Sequence, residues 1–404
     1  MTQAFRLPFQ DRATHPLAGA TVLQLIPDLE ANDTARAAID IAAALDAAGA
    51  RALIACVGGR MRGELQAKGG IFAPFPSQTK NPLAMASNMR RLERLIAAER
   101  ADIVHVRSRA LAWVAYGATR KTKTPLVTTF HSGRQGANPI AVRYNSVLAR
   151  GDAVLTDSAF TANLVNELHA RAKGKIRIVH QGVNCRIFAP EAVTPARVQA
   201  VRRHWKVNPD EQIVLQAAPT SPASGHIILV EAARLLARSG LVGVKFILAC
   251  DRKATAFDHH IDRAIAREGL QGIMIRAGHD DMPAAYLAAS LVVVPATEAE
   301  AFGEAAVQAQ AMGKPVIAAQ IGAATETVLA PPMVADSART GFLVKPGDAA
   351  ALAVAIAKVL TLGASASGKL AARARNHVEA HYSTETVCDE TLNAYAAVRR
   401  GGER

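Results

Sequence analysis

Aromatic residues are scarce in this chain, at 4% of its 404 residues. The alternation of aromatic and basic residues on which single-stranded nucleic acid stacks is missing, so nucleic acid is not an expected partner. The four cysteines, Cys56, Cys185, Cys250 and Cys388, are scattered with no CxxC spacing. That argues against a disulfide framework and against a thiol metal site, and it reads as reduced thiols in a cytoplasmic compartment. No stretch offers the ~18 consecutive apolar residues of a membrane span. The opening residues, MTQAFRLPFQDRATHPLAGA, lack the apolar run of a signal peptide. Acidic residues are outnumbered, 34 against 47 Lys plus Arg, leaving a net charge of +13. Such a surplus favours anionic partners, whether nucleotide phosphates or an acidic lipid face, or else serves as a solubilising surface.

What is present is apolar and patterned. Half of the residues are hydrophobic, enough for two domain cores in a chain of this length. Short β-branched runs (ATVLQLI from residue 20, RALIACV from 51, TPLVTTFHS, GDAVLTDS, KIRIVHQGV) alternate with segments of helical periodicity such as RAAIDIAAALDAAGA. Strand and helix in alternation predict a doubly wound parallel sheet. A polar, Pro-rich segment at 184–209 breaks the rhythm and reads as a linker. The pattern then restarts with EQIVLQAAP, VKFILAC, GIMIRAG, LVVVPA and KPVIAAQ. The expected organisation is an α/β fold of two similar domains, residues 1–189 and 190–379, with ligands taken up in a cleft at the strand C-terminal ends.

The richest stretch for chemistry spans 291–317. A strand (LVVVPA) is followed by Glu298 and Glu300, then Phe302-Gly303, a helix, and MGKPVIA. A carboxylate just ahead of a helix can accept hydrogen bonds from sugar hydroxyls. Phe-Gly brings backbone N–H groups close to a ligand, and the helix N-terminus favours a phosphate. The same acidic residues could equally be complements to the helix dipole. A glutamate, Phe-Gly, a position eight residues after the first glutamate (here Gln308) and AMGKPV together resemble the family 4 retaining glycosyltransferases of the GT-B fold. The resemblance extends through VTTFH at 127–131, DSAFTA at 157–162, VHQGVN with Phe188, GHDDMPAAYLAAS, ETV at 326–328 and TGFLVKPGD at 340–348. It is strongest to bacterial members that build lipopolysaccharide or other cell-surface glycans.

The resemblance implies two Rossmann-like domains facing each other across a cleft, with the segment from about 380 to 404 packing back on the first. It implies a UDP- or GDP-sugar substrate held on the second domain, no cofactor and no metal, and transfer with retention to a glycan or lipid-linked acceptor. His131 and Glu300 take the catalytic positions. Phe302, Gly303, Glu304 and Gln308 belong to the donor site, as do Gly225 and His226 on one loop and Asn32 and Asp33 on another. A lipid-linked acceptor makes peripheral contact with an anionic membrane face an expectation, through the basic helix around Arg90, Arg91 and Arg94. An ordinary solvated helix face would have the same composition.

Three departures qualify the resemblance. Asn32-Asp33 stand where the family has Gly-Gly near the diphosphate. Pro219 and Ser224 stand at the positions of an Arg and a Lys that meet the diphosphate, with His226, Arg252 and Lys253 as candidate substitutes. Gln308 replaces a glutamate that holds the ribose. An amide has one acceptor oxygen and no charge. These changes gather at one site, so a catalytically silent relative acting as a scaffold or protein partner stands as the alternative. An epimerase-like enzyme of the same fold is a weaker one.

Overall fold

The computed structural model describes residues 15–78, 81–131, 139–250, 256–278 and 281–402. The chain divides into two compact units, Met1–Gly182 with Thr384–Arg404, and Val183–Ser383.

The first unit is built on a seven-stranded sheet. Its strands are β1 (Thr21–Leu25), β2 (Arg51–Cys56), β3 (Ile71–Pro74), β4 (Ile103–Val106), β5 (Leu126–Phe130), β6 (Ala153–Thr156) and β7 (Ile176–Ile178), in the spatial order β3-β2-β1-β4-β5-β6-β7. Every pairing is parallel. All five residues of β1 are buried, because helices cover both faces of the sheet. The helix Asp33–Ala47 shows how the sequence sets this up. Ala35, Ala38, Ile39, Ala42 and Leu45 recur at three- and four-residue spacing and are buried.

The C-terminal helix Thr384–Gly402 belongs to this unit. Tyr395 is fully buried in its core. The Tyr395 hydroxyl lies 2.6 Å from His105 Nδ1 on β4, and His105 Nε2 lies 2.7 Å from Thr129 Oγ1 on β5. Burial holds the His105 imidazole well below its ordinary pKa, so the ring is neutral and the three polar groups satisfy one another inside the core.

The second unit repeats the plan with six strands. They are β8 (Gln212–Ala217), β9 (Val244–Cys250), β10 (Met274–Gly278), β11 (Leu291–Val294), β12 (Val316–Ala319) and β13 (Phe342–Val344), ordered β10-β9-β8-β11-β12-β13 and all parallel. The expectation of two doubly wound, Rossmann-like sheets holds. In each sheet the winding direction reverses beside the first strand, between β1 and β4 and between β8 and β11. Loops at the strand C-terminal ends separate there and leave room for a ligand.

Among the described residues no single helix is long and apolar enough to cross a membrane.

Candidate active-site elements in the two units

In the second unit the site grows from the loops after β8 and β11. Gly225 has φ +75°, and a Cβ on it would stand 1.7 Å from the Pro295 carbonyl oxygen. Only glycine lets the 218–225 loop lie this close to the β11 loop. The Thr297 N–H donates to the Ala223 carbonyl at 2.8 Å and closes the contact. Beside these loops opens a cavity of about 290 Å³ whose polar lining is Gln216, Ser224, Glu300, Glu304 and Gln308, with Tyr286 among the apolar walls. Among the described residues that line it there are two carboxylates and no Lys, Arg or His.

The loop at 218–225 holds itself together where the resemblance asks for cations. The Ser224 hydroxyl donates to the Pro219 carbonyl at 2.7 Å and lies 2.9 Å from Ser221 Oγ. Gln216 Nε2 donates to the Ser224 carbonyl at 2.7 Å. His226 is not available as a substitute cation. It is fully buried at the start of the helix His226–Arg238, its Nε2 is 3.8 Å from Cys250 Sγ, and burial pulls its pKa down to about 4. Arg252 and Lys253 lie outside the described residues.

The burial of His226 has a consequence for acid stability. An unfolded chain protonates this ring near 6.5, whereas the folded chain does so only near 4. The unfolded state therefore binds more protons in between, and stability is lost as pH falls through that window, by about 3 kcal/mol in all. His226→Leu is expected to remove that much of the slope between pH 6.5 and 4, measured by urea unfolding across the range. An unchanged slope would mean that the ring is already solvated.

Glu300 precedes the helix Glu304–Ala311, whose N-cap is Gly303 at φ +81°. Glu300 Oε2 lies 3.9 Å from where a Cβ on Gly303 would stand, so the carboxylate sits at the mouth of the helix. Its side chain opens into the cavity, yet the surrounding protein desolvates it enough to raise its pKa above the ordinary carboxylate value. One turn further on, Gln308 Nε2 donates to Glu304 Oε1. This leaves the Gln308 amide oxygen as the acceptor open to a ligand. Phe302 turns the other way, into a small core with Val183, Val307 and Val378, and meets Tyr382 edge-on at 5.7 Å between ring centroids. Its contribution is to anchor the loop.

In the first unit, His131 directly follows β5 and Asp157 directly follows β6. The parallel register pairs Phe130 with Thr156, so the next residues on each strand stand side by side. His131 Nδ1 is 3.0 and 3.1 Å from the two Asp157 carboxylate oxygens. The Asp157 side chain is only 1% exposed. It also accepts from Gln181 Nε2 at 3.1 Å, so its oxygens act as acceptors here. His131 Nδ1 therefore carries the proton, and Nε2 is the nitrogen left for the adjoining pocket of about 240 Å³, lined by Arg107, Ser108, Arg109, His131 and Asn145. The Nε of Arg107 is buried without a hydrogen-bond partner, and burial lowers the pKa of its guanidinium from the ordinary value, opposed by Tyr395 and Asp157. Asn32 caps the helix Asp33–Ala47, its Oδ1 accepting from the Ala35 N–H at 2.9 Å, and its amide donates to Asp28 at 2.9 Å. Asp33 is exposed in the first turn of that helix.

Sequence reasoning passed over Asp157, Gln181 and Arg107 as site residues. The available signal was a charged residue closing an otherwise apolar strand, as in AVLTD and IVHVR. Among the described residues no group of three or more His, Cys, Asp or Glu side chains is placed to hold a metal ion.

Comparison with known proteins bears on both units. The family described as Glycosyltransferase Family 4 matches residues 34–186, and the one described as Glycosyl transferases group 1 matches residues 211–362. A relative named D-inositol 3-phosphate glycosyltransferase, from Mycobacterium tuberculosis, is 28% identical over 365 residues, covering 82% of this chain and 72% of its own. A solved glycosyltransferase from Rickettsia africae is 28% identical with a TM-score of 0.82, covering 94% of this chain and 98% of its own. The Anabaena protein HepE, solved with UDP and glucose, shares the fold at a TM-score of 0.77 and 20% identity, over 94% of this chain and all of its own. With both units matched in turn, this chain is a family 4 glycosyltransferase of the GT-B fold, a class that works on nucleotide-sugar substrates.

Proposed function

We propose that the protein transfers a hexose-type sugar, with retention, from a UDP- or GDP-sugar to a phosphate-bearing glycan or lipid-linked acceptor in cell-surface polysaccharide synthesis. The observation that carries this reading is Glu300, held at the N-terminus of the helix Glu304–Ala311 and open to the cavity. The donor's ribose meets Gln308, and Glu300 takes hydrogen bonds from the sugar. His131, oriented by Asp157, is the catalytic group that the first unit supplies. An acidic acceptor is favoured by the pocket beside His131, where Arg107 and Arg109 are the cations. The name of the mycobacterial relative, a D-inositol 3-phosphate glycosyltransferase, points the same way. For a lipid-linked acceptor the protein works in the cytoplasm at the inner face of the membrane. Arg90, Arg91 and Arg94, exposed along the helix Pro82–Glu99, supply the contact.

A second reading is favoured by one observation, the cavity lined by two carboxylates and no described cation. In that reading the fold persists as a catalytically silent partner of another protein. Calorimetric titration with UDP, GDP and their sugar conjugates separates the two. Binding of one nucleotide supports the transferase and names its donor class. Ser224→Lys is then expected to tighten that binding at least ~10-fold, the worth of one charge-assisted contact to phosphate. If no nucleotide binds until Pro219→Arg, Ser224→Lys and Gln308→Glu are combined, the silent reading replaces the transferase.

A further inference from the structure

Another cavity lies away from these elements, at the opposite end of the first sheet. It encloses about 850 Å³, and Leu126 and Ala153, the first residues of β5 and β6, lie in its floor. His131 and Asp157 follow the other ends of the same two strands, roughly 15 Å away along β5. Six cations line the cavity: Arg120, Lys123, Arg150, Arg171, Lys175 and Arg177. The one acid among its described lining residues, Asp152, is turned to the backbone and accepts the Leu126 N–H at 2.8 Å.

Among the described residues none of the six cations has an ion-pair partner. Lys175 Nζ donates to the Gly151 carbonyl at 3.2 Å and Arg177 to the Ile176 carbonyl at 2.8 Å. Arg150 is held in place by packing. Its guanidinium lies 5.2 Å from the Trp113 ring centroid and 5.3 Å from that of Tyr116, and its Nε is buried with no hydrogen-bond partner. A guanidinium fixed on two aromatic rings is a pre-oriented fork for oxyanions. Six like charges around one cavity repel one another, and an anion bound among them relieves that repulsion. The volume suits a small ligand.

We propose that this groove is a second binding site, for a ligand carrying two or more phosphate groups, separate from the donor cavity. The ligand class is a soluble polyphosphate or the phosphate headgroups of a lipid. Every lining residue of this groove belongs to the first unit, and the site is independent of which donor or acceptor the enzyme uses.

The test uses the full chain and three proteins. The first is wild type. The second is the groove variant Lys123→Gln with Arg171→Gln, both at exposed positions. The third is a charge-matched control, Lys358→Gln with Lys369→Gln, exposed in the second unit. Sodium pyrophosphate is titrated calorimetrically, with and without saturating UDP. Flotation with phosphatidylglycerol vesicles is run beside it, against phosphatidylcholine vesicles. Pyrophosphate binding that survives UDP, falls at least ~10-fold in the groove variant and is unchanged in the control supports a soluble ligand. Loss confined to phosphatidylglycerol flotation, again in the groove variant only, supports a lipid headgroup. Absence of binding in both arms overturns the proposal, as does equal loss in both variants, which would reduce the effect to net charge. Displacement of all the pyrophosphate by UDP also overturns it and leaves the donor cavity as the site. Arg150→Gln checks the aromatic-stacked fork and is expected to show the largest single loss, with the far-ultraviolet circular dichroism unchanged.

Discussion

Replacing His131 by alanine is expected to lower kcat for sugar transfer by about 10²- to 10³-fold while leaving nucleotide affinity within about twofold of wild type. The split follows from where the residue stands. His131 belongs to the first unit, and the cavity proposed for the nucleotide is lined by residues of the second. Its Nδ1 is tied to both oxygens of Asp157, so the ring is held in one tautomer and one orientation, with Nε2 left free to act. Asp157→Asn tests that tie. An asparagine presents one oxygen and one NH₂, and with Gln181 Nε2 donating to the same side chain, the NH₂ turns toward His131 and reverses the tautomer. About 10²-fold in kcat is expected, the cost of a misplaced group rather than a missing one. Steady-state kinetics with the donor identified by calorimetry reads both effects. Wild-type turnover in His131→Ala would remove the residue from the reaction, and a parallel collapse of nucleotide affinity in both variants would mean damage to the fold.

Glu300→Gln should move activity and stability in opposite directions. Desolvation raises the pKa of the Glu300 carboxyl above its ordinary value of 4.5. The folded protein therefore holds this proton more tightly than the unfolded chain does. The associated stability is fully present below about pH 4.5 and is lost as pH rises through the elevated folded value. At neutral pH the charged group works against the fold, and the neutral amide relieves that strain. Glu300→Gln is expected to raise the melting temperature at neutral pH and to flatten its pH dependence on the acid side. Transfer falls by about 10²-fold or more, because the sugar loses a charged acceptor at the helix mouth. The acid limb of the kcat/KM profile, set in wild type by ionisation of Glu300, should vanish in what activity remains. Differential scanning calorimetry and pH–rate profiles give the two readings. A variant both less stable and less active would place Glu300 among structural residues and leave the donor contact without its anchor.

The departures around the proposed donor cavity show how far local sequence reaches. Gln308 and Ser224 are legible as missing charges, and the structure adds what fills their places. Gln308 hydrogen-bonds to Glu304 one turn earlier, so a carboxylate remains in the cavity at a shifted position. Ser224 closes its own loop through Pro219 and Ser221. His226 is the counter-example. In sequence it is a histidine in a loop and a candidate cation. In the fold it begins a helix packed inward and is neutral above about pH 4. Asn32, which stands where the resemblance has a glycine near the diphosphate, is a helix cap, a role its sequence position before an amphipathic run also permits.

The sequence by itself determined the two α/β halves, their parallel strands and the Glu300 to Gln308 segment. Those features rest on short-range patterning, on apolar runs buried from both sides and glycines at positive φ, and neighbouring residues carry that information. Only the tertiary structure decided which side chains meet. His131 and Asp157 are separated by 26 positions, and they pair because β5 and β6 are parallel neighbours in register. The six cations of the far groove are spread over the end of the helix Arg109–Thr122, two short 3-10 turns, the residue before β7 and β7 itself. They converge because sheet order brings one end of β5, β6 and β7 to a single place, and no local pattern records the order in which strands are laid beside one another.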